Sequence, residues 1–400
     1  MTTRTLDMAN VIASDVTIAG DKTLSGDITF SGDVVPSTPL SHRNLIINGA
    51  MQIFQRGTSA VTAGLPSYDT ADRWRMREST DGTFTSQKYT MSASEQNTTG
   101  HASALQLNCT TADTSIASTQ YAYIATTVEA QNCQHLQYGT ANAKNLILSF
   151  WVKSNKTGTY TINVRKQDTT QYVMPIEYTI SSADTWEQKT INISPTAGST
   201  SLITSSAGAI VNDNGEGLQI GWNLAWGSTY HATNNTWTSG NSYSTSNQIN
   251  WMDNTSNNFY ITGVQLELGD NATPFEHRTL QDELLRCQRY FYLVGGESAG
   301  NIRNYIVGRT SNADAMYCAP PSAVPMRSTP TVGNFGSYNI NCINKDGATN
   351  LNTQPTIDTY NYGKPGNTVG NMYLSGGSGL TDGRVCCARL NAPLTFDSEL

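Results

Sequence analysis

The stretch Leu146–Lys166, LILSFWVKSNKTGTYTINVRK, alternates by twos on both sides of a short break. In its first half Leu146, Leu148, Phe150 and Val152 fall on one face, with Ser149, Trp151 and Lys153 on the other. After NKTG, Tyr160, Ile162 and Val164 share a face against Thr161, Asn163 and Arg165. A period of two is the period of a β-strand, and a four-residue break containing Gly158 closes two such strands into a hairpin. The segment FYITGVQLELG, Phe259–Gly269, repeats the pattern with Val264, Leu266 and Leu268 facing one way and Gly263 marking a bulge. Many period-two segments and almost no helical period predict an antiparallel two-sheet sandwich, jelly-roll-like, over residues 44–278.

The composition agrees with an all-β chain. Charged residues make up 14% of the 400, against about a quarter in ordinary soluble chains. Thr, Ser, Asn, Gly and Tyr fill the difference, and these favour strands and turns. The formal net charge is -7, and the sequence offers no run of Lys and Arg, so no nucleic-acid partner is expected. No stretch of about 18 apolar residues suggests membrane insertion. The N-terminus lacks the apolar core of a secretion signal, which points to assembly in a cytoplasm.

Near the start, VTIAGDKTLSGDITFSGDVV (Val16–Val35) repeats one phrase at a step of six. Ile18, Leu24 and Phe30 each stand two places before a Gly-Asp pair. Hexapeptide periods belong to fibrous β-architectures, and three such steps bury too little alone. Residues 1–43 are therefore expected to form a stalk shared by several copies about one axis, three in the commonest arrangement. Ile18, Leu24 and Phe30 would be its oligomerisation contacts. Pro36 and Pro39 mark the joint to the sandwich.

One helix is marked near 279–292. Thr279 is a plausible N-cap with Asp282 three places on, and Leu280, Leu284, Cys287 and Phe291 recur at helical spacing. Residues 279–293 thus read as a connecting helix, with Leu280, Leu284 and Phe291 offered to the sandwich stem or to sister copies. Residues 294–400, rich in Pro and then in Gly, Asn, Ser and Tyr, read as a small C-terminal β-domain.

Five segments carry a family resemblance: NLIINGAMQIFQRGT, YDTADRW, LSFWVKSNKTGTYTINV, TWEQKTINI and FYITGVQLELGDNATPFEHRTLQDELLRCQRYF. Together they resemble a group of tailed-phage fibre and other virion structural proteins, over about Asn44 to Phe291. The sandwich strands also resemble carbohydrate-binding jelly-roll modules. The resemblance implies a virion protein, and with the repeat at its start leads to the expectation of a homotrimer whose N-terminal region docks to the particle and which adheres to host surface polysaccharide or another receptor. It implies no catalytic residues. A non-adhesive virion role, as head decoration or tail adaptor, and a glycan depolymerase are the alternatives.

Candidate ligand contacts come from aromatic residues outside the strand pattern. In GLQIGWNLAWGSTYHATNNTWTSGNSY, Leu218, Ile220, Trp222, Leu224 and Trp226 share one face, which assigns both tryptophans to the core. Tyr230, Trp237 and Tyr243 follow in a Gly/Ser/Asn-rich loop, where recognition residues tend to sit. Tyr360, Tyr362 and Tyr373 stand in the polar C-terminal segment, a composition like that of antibody contact loops. The carboxylate pairs Asp69 with Asp72, Asp213 with Glu216, and Asp282 with Glu283 occupy turns or a helix start, and no nucleophile motif, P-loop or paired-His spacing occurs. The expectation is a binding protein without catalytic residues, cofactor or metal. The seven cysteines are odd in number and widely spaced, and are expected as free, buried thiols.

Overall fold

The computed structural model describes residues 41–63, 68–294, 304–312, 315–318, 324–333, 338–342, 349–351, 356–357, 372–375, 383, 385–390 and 394–400. The six-residue repeat with Ile18, Leu24 and Phe30 lies outside these residues, as do Tyr360 and Tyr362.

Twelve strands build the sandwich: β1 Val61–Thr62, β2 Trp74–Glu78, β3 Thr83–Thr90, β4 Ser103–Thr111, β5 Tyr121–Glu129, β6 Leu146–Ser154, β7 Gly158–Lys166, β8 Tyr172–Ile180, β9 Glu187–Ile193, β10 Glu216–Trp226, β11 Thr238–Ser239 and β12 Asn258–Leu268. The first sheet runs β1-β3-β4-β12-β6-β9 and the second β11-β8-β7-β10-β5-β2, with neighbouring strands antiparallel throughout. The hairpin halves Leu146–Ser154 and Gly158–Lys166 do not pair with each other. β6 pairs with β12 and β9, and β7 with β8 and β10, so the NKTG break carries the chain from one sheet to the other.

The alternation sets the core. Leu146, Leu148, Phe150 and Val152 of β6 and Tyr160, Ile162 and Val164 of β7 are all fully buried between the sheets. Trp222 of β10 packs edge-on to Phe150, with ring centroids 5.6 Å apart, and against Trp74 at 5.2 Å. In β12 the register shifts between Thr262 and Gln265 around Gly263, whose φ is +60°. A Cβ at Gly263 would stand 2.4 Å from Nε2 of His101, so both the conformation and the close approach require glycine.

Among the described residues two α-helices flank the sandwich: α1, Ala93–Thr99, and α2, Leu280–Gln288. Thr279 caps α2 by accepting from the Asp282 backbone N–H, and donates its hydroxyl to the Asp282 carboxylate. The helix ends sooner than the spacing predicts. Phe291 opens a strand, Phe291–Val294, that pairs with Leu394–Asp397, which also pairs with Thr331–Gly333. Tertiary pairing thus takes over where the helical period would continue. Phe291 is 4% exposed beneath the Arg56 guanidinium, 3.5 Å from its ring centroid, so it is not a surface contact. The buried residues of α2 are Glu283 and Cys287, Leu284 is half-buried, and Leu280 is exposed at 59%. Glu283 accepts from the Asn48 N–H and from Arg278, so a polar anchor rather than a leucine stripe seats the helix.

The C-terminal segment includes a seven-stranded sheet among the described residues. Tyr373 lies in its strand Met372–Ser375, opposite Tyr317 and Thr356. The last residues return to the sandwich, where Glu399 pairs with Arg73 and Arg56. Cys109, Cys133 and Cys287 are free and buried.

Candidate functional site

The outer face of the second sheet carries the side chains that alternate away from the core. From β2 these are Arg75 and Arg77; from β5, Tyr121, Tyr123 and Ala125; from β10, Gln219, Gly221 and Asn223; from β7, Thr161, Asn163 and Arg165. Register aligns them in rows. Arg165 stands beside Gln219, Asn163 beside Gly221 beside Ala125 beside Arg75, and Asn223 beside Tyr123 beside Arg77. The middle row has two of the smallest residues at its centre. A Cβ at Gly221 would meet Nδ2 of Asn163 at 2.5 Å, so glycine is what lets that amide lie across the sheet.

A β-bulge completes the face. Between Asn223 and Ala225 the pairing of β10 with β5 slips by one residue. Leu224 and Ala225 both join the core, and Trp226 emerges on the outer side. One extra residue reverses the parity of all that follows it. Trp222 is therefore a core residue, as the alternation predicts, while Trp226 departs from that prediction. It stacks on Tyr121, Tyr123 and Tyr243 at centroid distances of 5.2, 5.3 and 4.8 Å, and meets Tyr230 edge-on at 4.8 Å. Its indole Nε1 is buried without a hydrogen-bond partner among the described residues.

The loop after β10 folds back over part of this face because buried polar groups hold it there. Asn223 Nδ2 donates to the Tyr243 carbonyl at 2.8 Å, and Thr161 N–H donates to Gln248 Oε1 at 2.6 Å. Ser244 and Thr161 hydroxyls meet at 3.1 Å. These bonds set Tyr230 and Tyr243 against Trp226, both half-buried. Burial, with Tyr121 and Tyr243 close by, raises the Tyr230 phenol above its usual range, so it stays neutral and can donate or accept. Trp237 takes a different place. It is 1% exposed in the core and its Nε1 donates to the Ser194 carbonyl at 2.8 Å, which removes it from a ligand's reach.

The basic side of the face is formed by Arg75, Arg77 and Arg165. Arg165 pairs with Glu216, its Nε 3.1 Å from Oε1. Burial alone would lower its pKa, but Glu216 outweighs that and raises it. Arg75, 8% exposed, donates to the backbone oxygen of Leu400 at 3.3 Å. Turning the Gln219 amide lets its oxygen accept from both Arg75 and Arg165. Arg77 is half-buried and reaches the Tyr123 hydroxyl at 3.4 Å, with the Tyr121 ring 6.0 Å away.

Alternation within β2, WRMRE, sets Arg75 and Arg77 on this face, a local pairing distinct from a run of Lys and Arg. Arg73 is occupied elsewhere, paired with Glu399 and lying 3.5 Å over the Tyr290 ring.

A cavity of about 580 Å³ lies near α2, lined by residues including His277, Asp282, Leu285 and Arg286. No tyrosine or tryptophan lines it, and the outer face has the richer combination of rings and hydrogen-bonding groups. Among the described residues no group of His, Cys, Asp and Glu is arranged to hold a metal ion.

No family model and no curated protein matches the chain. Among solved structures, the enzymatically active domain of tailspike protein 4 of bacteriophage CBA120 aligns with 56% of this chain at 13% identity and a TM-score of 0.29. The aligned region is 21% of that tailspike chain. A family 11 carbohydrate-binding module of Clostridium thermocellum cellulase Lic26A-Cel5E aligns over 55% of this chain and 99% of its own, at 11% identity and a TM-score of 0.26. The tandem CBM22 domain of Paenibacillus barcinonensis Xyn10C aligns over 86% and 97%, at 8% identity and a TM-score of 0.26. Likeness at that level is distant, and the functional reading stands on the residues of the outer face themselves.

Proposed function

We propose that the protein binds glycans on the outer face of the second sheet. The observation that carries this reading is the joining of the Trp226, Tyr121, Tyr123, Tyr230 and Tyr243 rings to a row of Arg, Gln and Asn side chains on one rigid sheet. A sugar ring has apolar C–H faces that stack on aromatic rings, while its hydroxyls need donors and acceptors at fixed positions. Tyr230 and Tyr243 supply ring surface, and Arg77 and Arg165 supply donors beside them. Binding and positioning, without bond cleavage, is the activity this set of groups supports best.

The sequence resemblance extends the proposal to a phage virion fibre: a homotrimer whose N-terminal region docks to other virion proteins and whose sandwich adheres to host surface polysaccharide. Tail or capsid surface would be its location, after assembly in the host cytoplasm. Weak single-site contacts would then be multiplied by the number of copies on one stalk.

Titration of the purified protein with a panel of bacterial surface polysaccharides tests the binding site. Tyr243→Ala is expected to weaken binding at least tenfold, at a stability cost of about 1 kcal/mol, because the ring is half-buried and lies on the aromatic cluster. Unchanged affinity in a folded Tyr243→Ala variant would remove this face from the proposal.

A further inference from the structure

We infer that the ligand of this face is an acidic glycan, with Arg77 meeting the carboxylate of a sugar residue. The inference rests on the glycan-binding reading and adds the charge of the sugar. Three guanidinium groups, Arg75, Arg77 and Arg165, gather on the face, and Glu216 is the one Asp or Glu carboxylate at ion-pair distance from any of them among the described residues. Glu216 is already engaged by Arg165. Arg75 is occupied by the Leu400 oxygen and Gln219. Among the described residues Arg77 has the long contact to the Tyr123 hydroxyl and the Tyr121 ring 6.0 Å away, and it borders the tyrosines on which a sugar would stack.

A half-buried guanidinium without a carboxylate partner is a fork of donors directed at a planar anion. Neutral sugars use one or two of those donors; a carboxylated sugar uses them as a bidentate pair and cancels the local positive charge. The chain as a whole carries a net charge of -7, so the positive character is local to this face. That local scale suits one sugar carboxylate at a time. A nucleic-acid backbone would require several neutralised phosphates in a row.

The test uses the full chain on immobilised oligosaccharides, each carboxylated member paired with its carboxyl-reduced counterpart: galacturonides, mannuronides and sialylated lactosamines. A single-stranded oligothymidylate serves as a further probe. Binding to at least one carboxylated member is expected to fall about tenfold or more on carboxyl reduction, the usual weight of a hydrogen bond to a charged group. In Arg77→Gln the preference for the acid over its reduced form is expected to disappear, and Arg77→Lys should restore part of it. Equal binding of acid and reduced forms, or an unchanged preference in Arg77→Gln, overturns the acidic ligand while leaving glycan binding intact. No binding to any member brings down both. Stronger binding to the oligothymidylate than to every glycan overturns the inference in favour of nucleic acid.

Discussion

His101 is 4% exposed, with its ring edge-on to Phe275 at 4.7 Å and 5.4 Å from His277. Burial first, and His277 second, lower its pKa from 6.5 to about 4. The folded state therefore takes up a proton less readily than the unfolded chain. The stability tied to neutral His101 is in place above pH 6.5 and is lost as pH falls through the window down to about 4, by about 3 kcal/mol in all. Asp72 titrates in the same window with the opposite sign. Burial raises it to about 6, against the pull of Arg56 and Gln55, so its protonation favours the folded state as pH falls. The two are separated by difference. Urea unfolding of His101→Gln at pH 7 and pH 4.5 should lack a loss that the parent protein shows, and parallel pH curves for both proteins would refute the assignment. At this scale the sequence was uneven in what it disclosed. Trp222 reads correctly as core because alternation runs unbroken to it from Leu218. Trp226 does not, because a bulge is decided by pairing with β5 and leaves no mark in the alternation of β10. Trp237 reads as a loop residue, which it is, yet the loop turns inward there and buries it.

Helix α1, at seven residues, is too short to persist alone, since isolated helices below about 12–15 residues are marginal. Glu95 holds it in place. Its carboxylate accepts from the Ser92 N–H, completing a capping box, and from Trp186 Nε1 at 3.0 Å and Lys153 Nζ at 2.6 Å. Lys153 in turn lies 4.4 to 5.1 Å from the rings of Tyr260, Tyr89 and Trp186, an aromatic enclosure on the outer face of the first sheet. Burial would raise the Glu95 pKa, but these hydrogen bonds outweigh it and hold it at about 2. Its contribution is thus present above pH 4.5 and lost as pH falls toward 2. Lys153→Met should cost about 2 kcal/mol at pH 7, because it strands a largely buried carboxylate. The same variant should lose less stability than the parent between pH 4.5 and 2.5. Denaturant midpoints measured across that range check both statements, and an unchanged midpoint at pH 7 would refute the first. The sequence reading marks no helix here although S-A-S-E, Ser92–Glu95, has capping-box spacing, since the helix carries no apolar stripe and is held through Glu95 to Lys153 and its surrounding rings. In α2 the cap at Thr279 was legible, while the buried face passes through Glu283, a residue that hydrophobic periodicity discards.

At the scale of the whole molecule, the described residues from Ser41 onward form one compact unit. The two-sheet sandwich was readable from period-two strands because each buries a single face in one shared core. Sheet partners were less readable: the sequence suggests that β6 and β7 pair as a hairpin, and the chain instead uses their turn to cross between sheets. Such a choice is settled by long-range register, which a local pattern does not encode. The repeat of Ile18, Leu24 and Phe30 bears on function through valency. If the first forty residues join copies on a common shaft, then each particle presents several identical glycan-binding faces at short range, and rebinding at a second face becomes intramolecular. Full-length protein should then bind a densely glycan-coated surface about a hundredfold more tightly than a chain beginning at Ser41. In free solution, against a monovalent oligosaccharide, the two should bind alike. Surface binding and solution titration of both chains, with the mass of each measured by sedimentation, provide the comparison. Equal retention on the dense surface, or a full-length protein that sediments as a single copy, would leave the sandwich as a binding module and remove the shared shaft from the proposal.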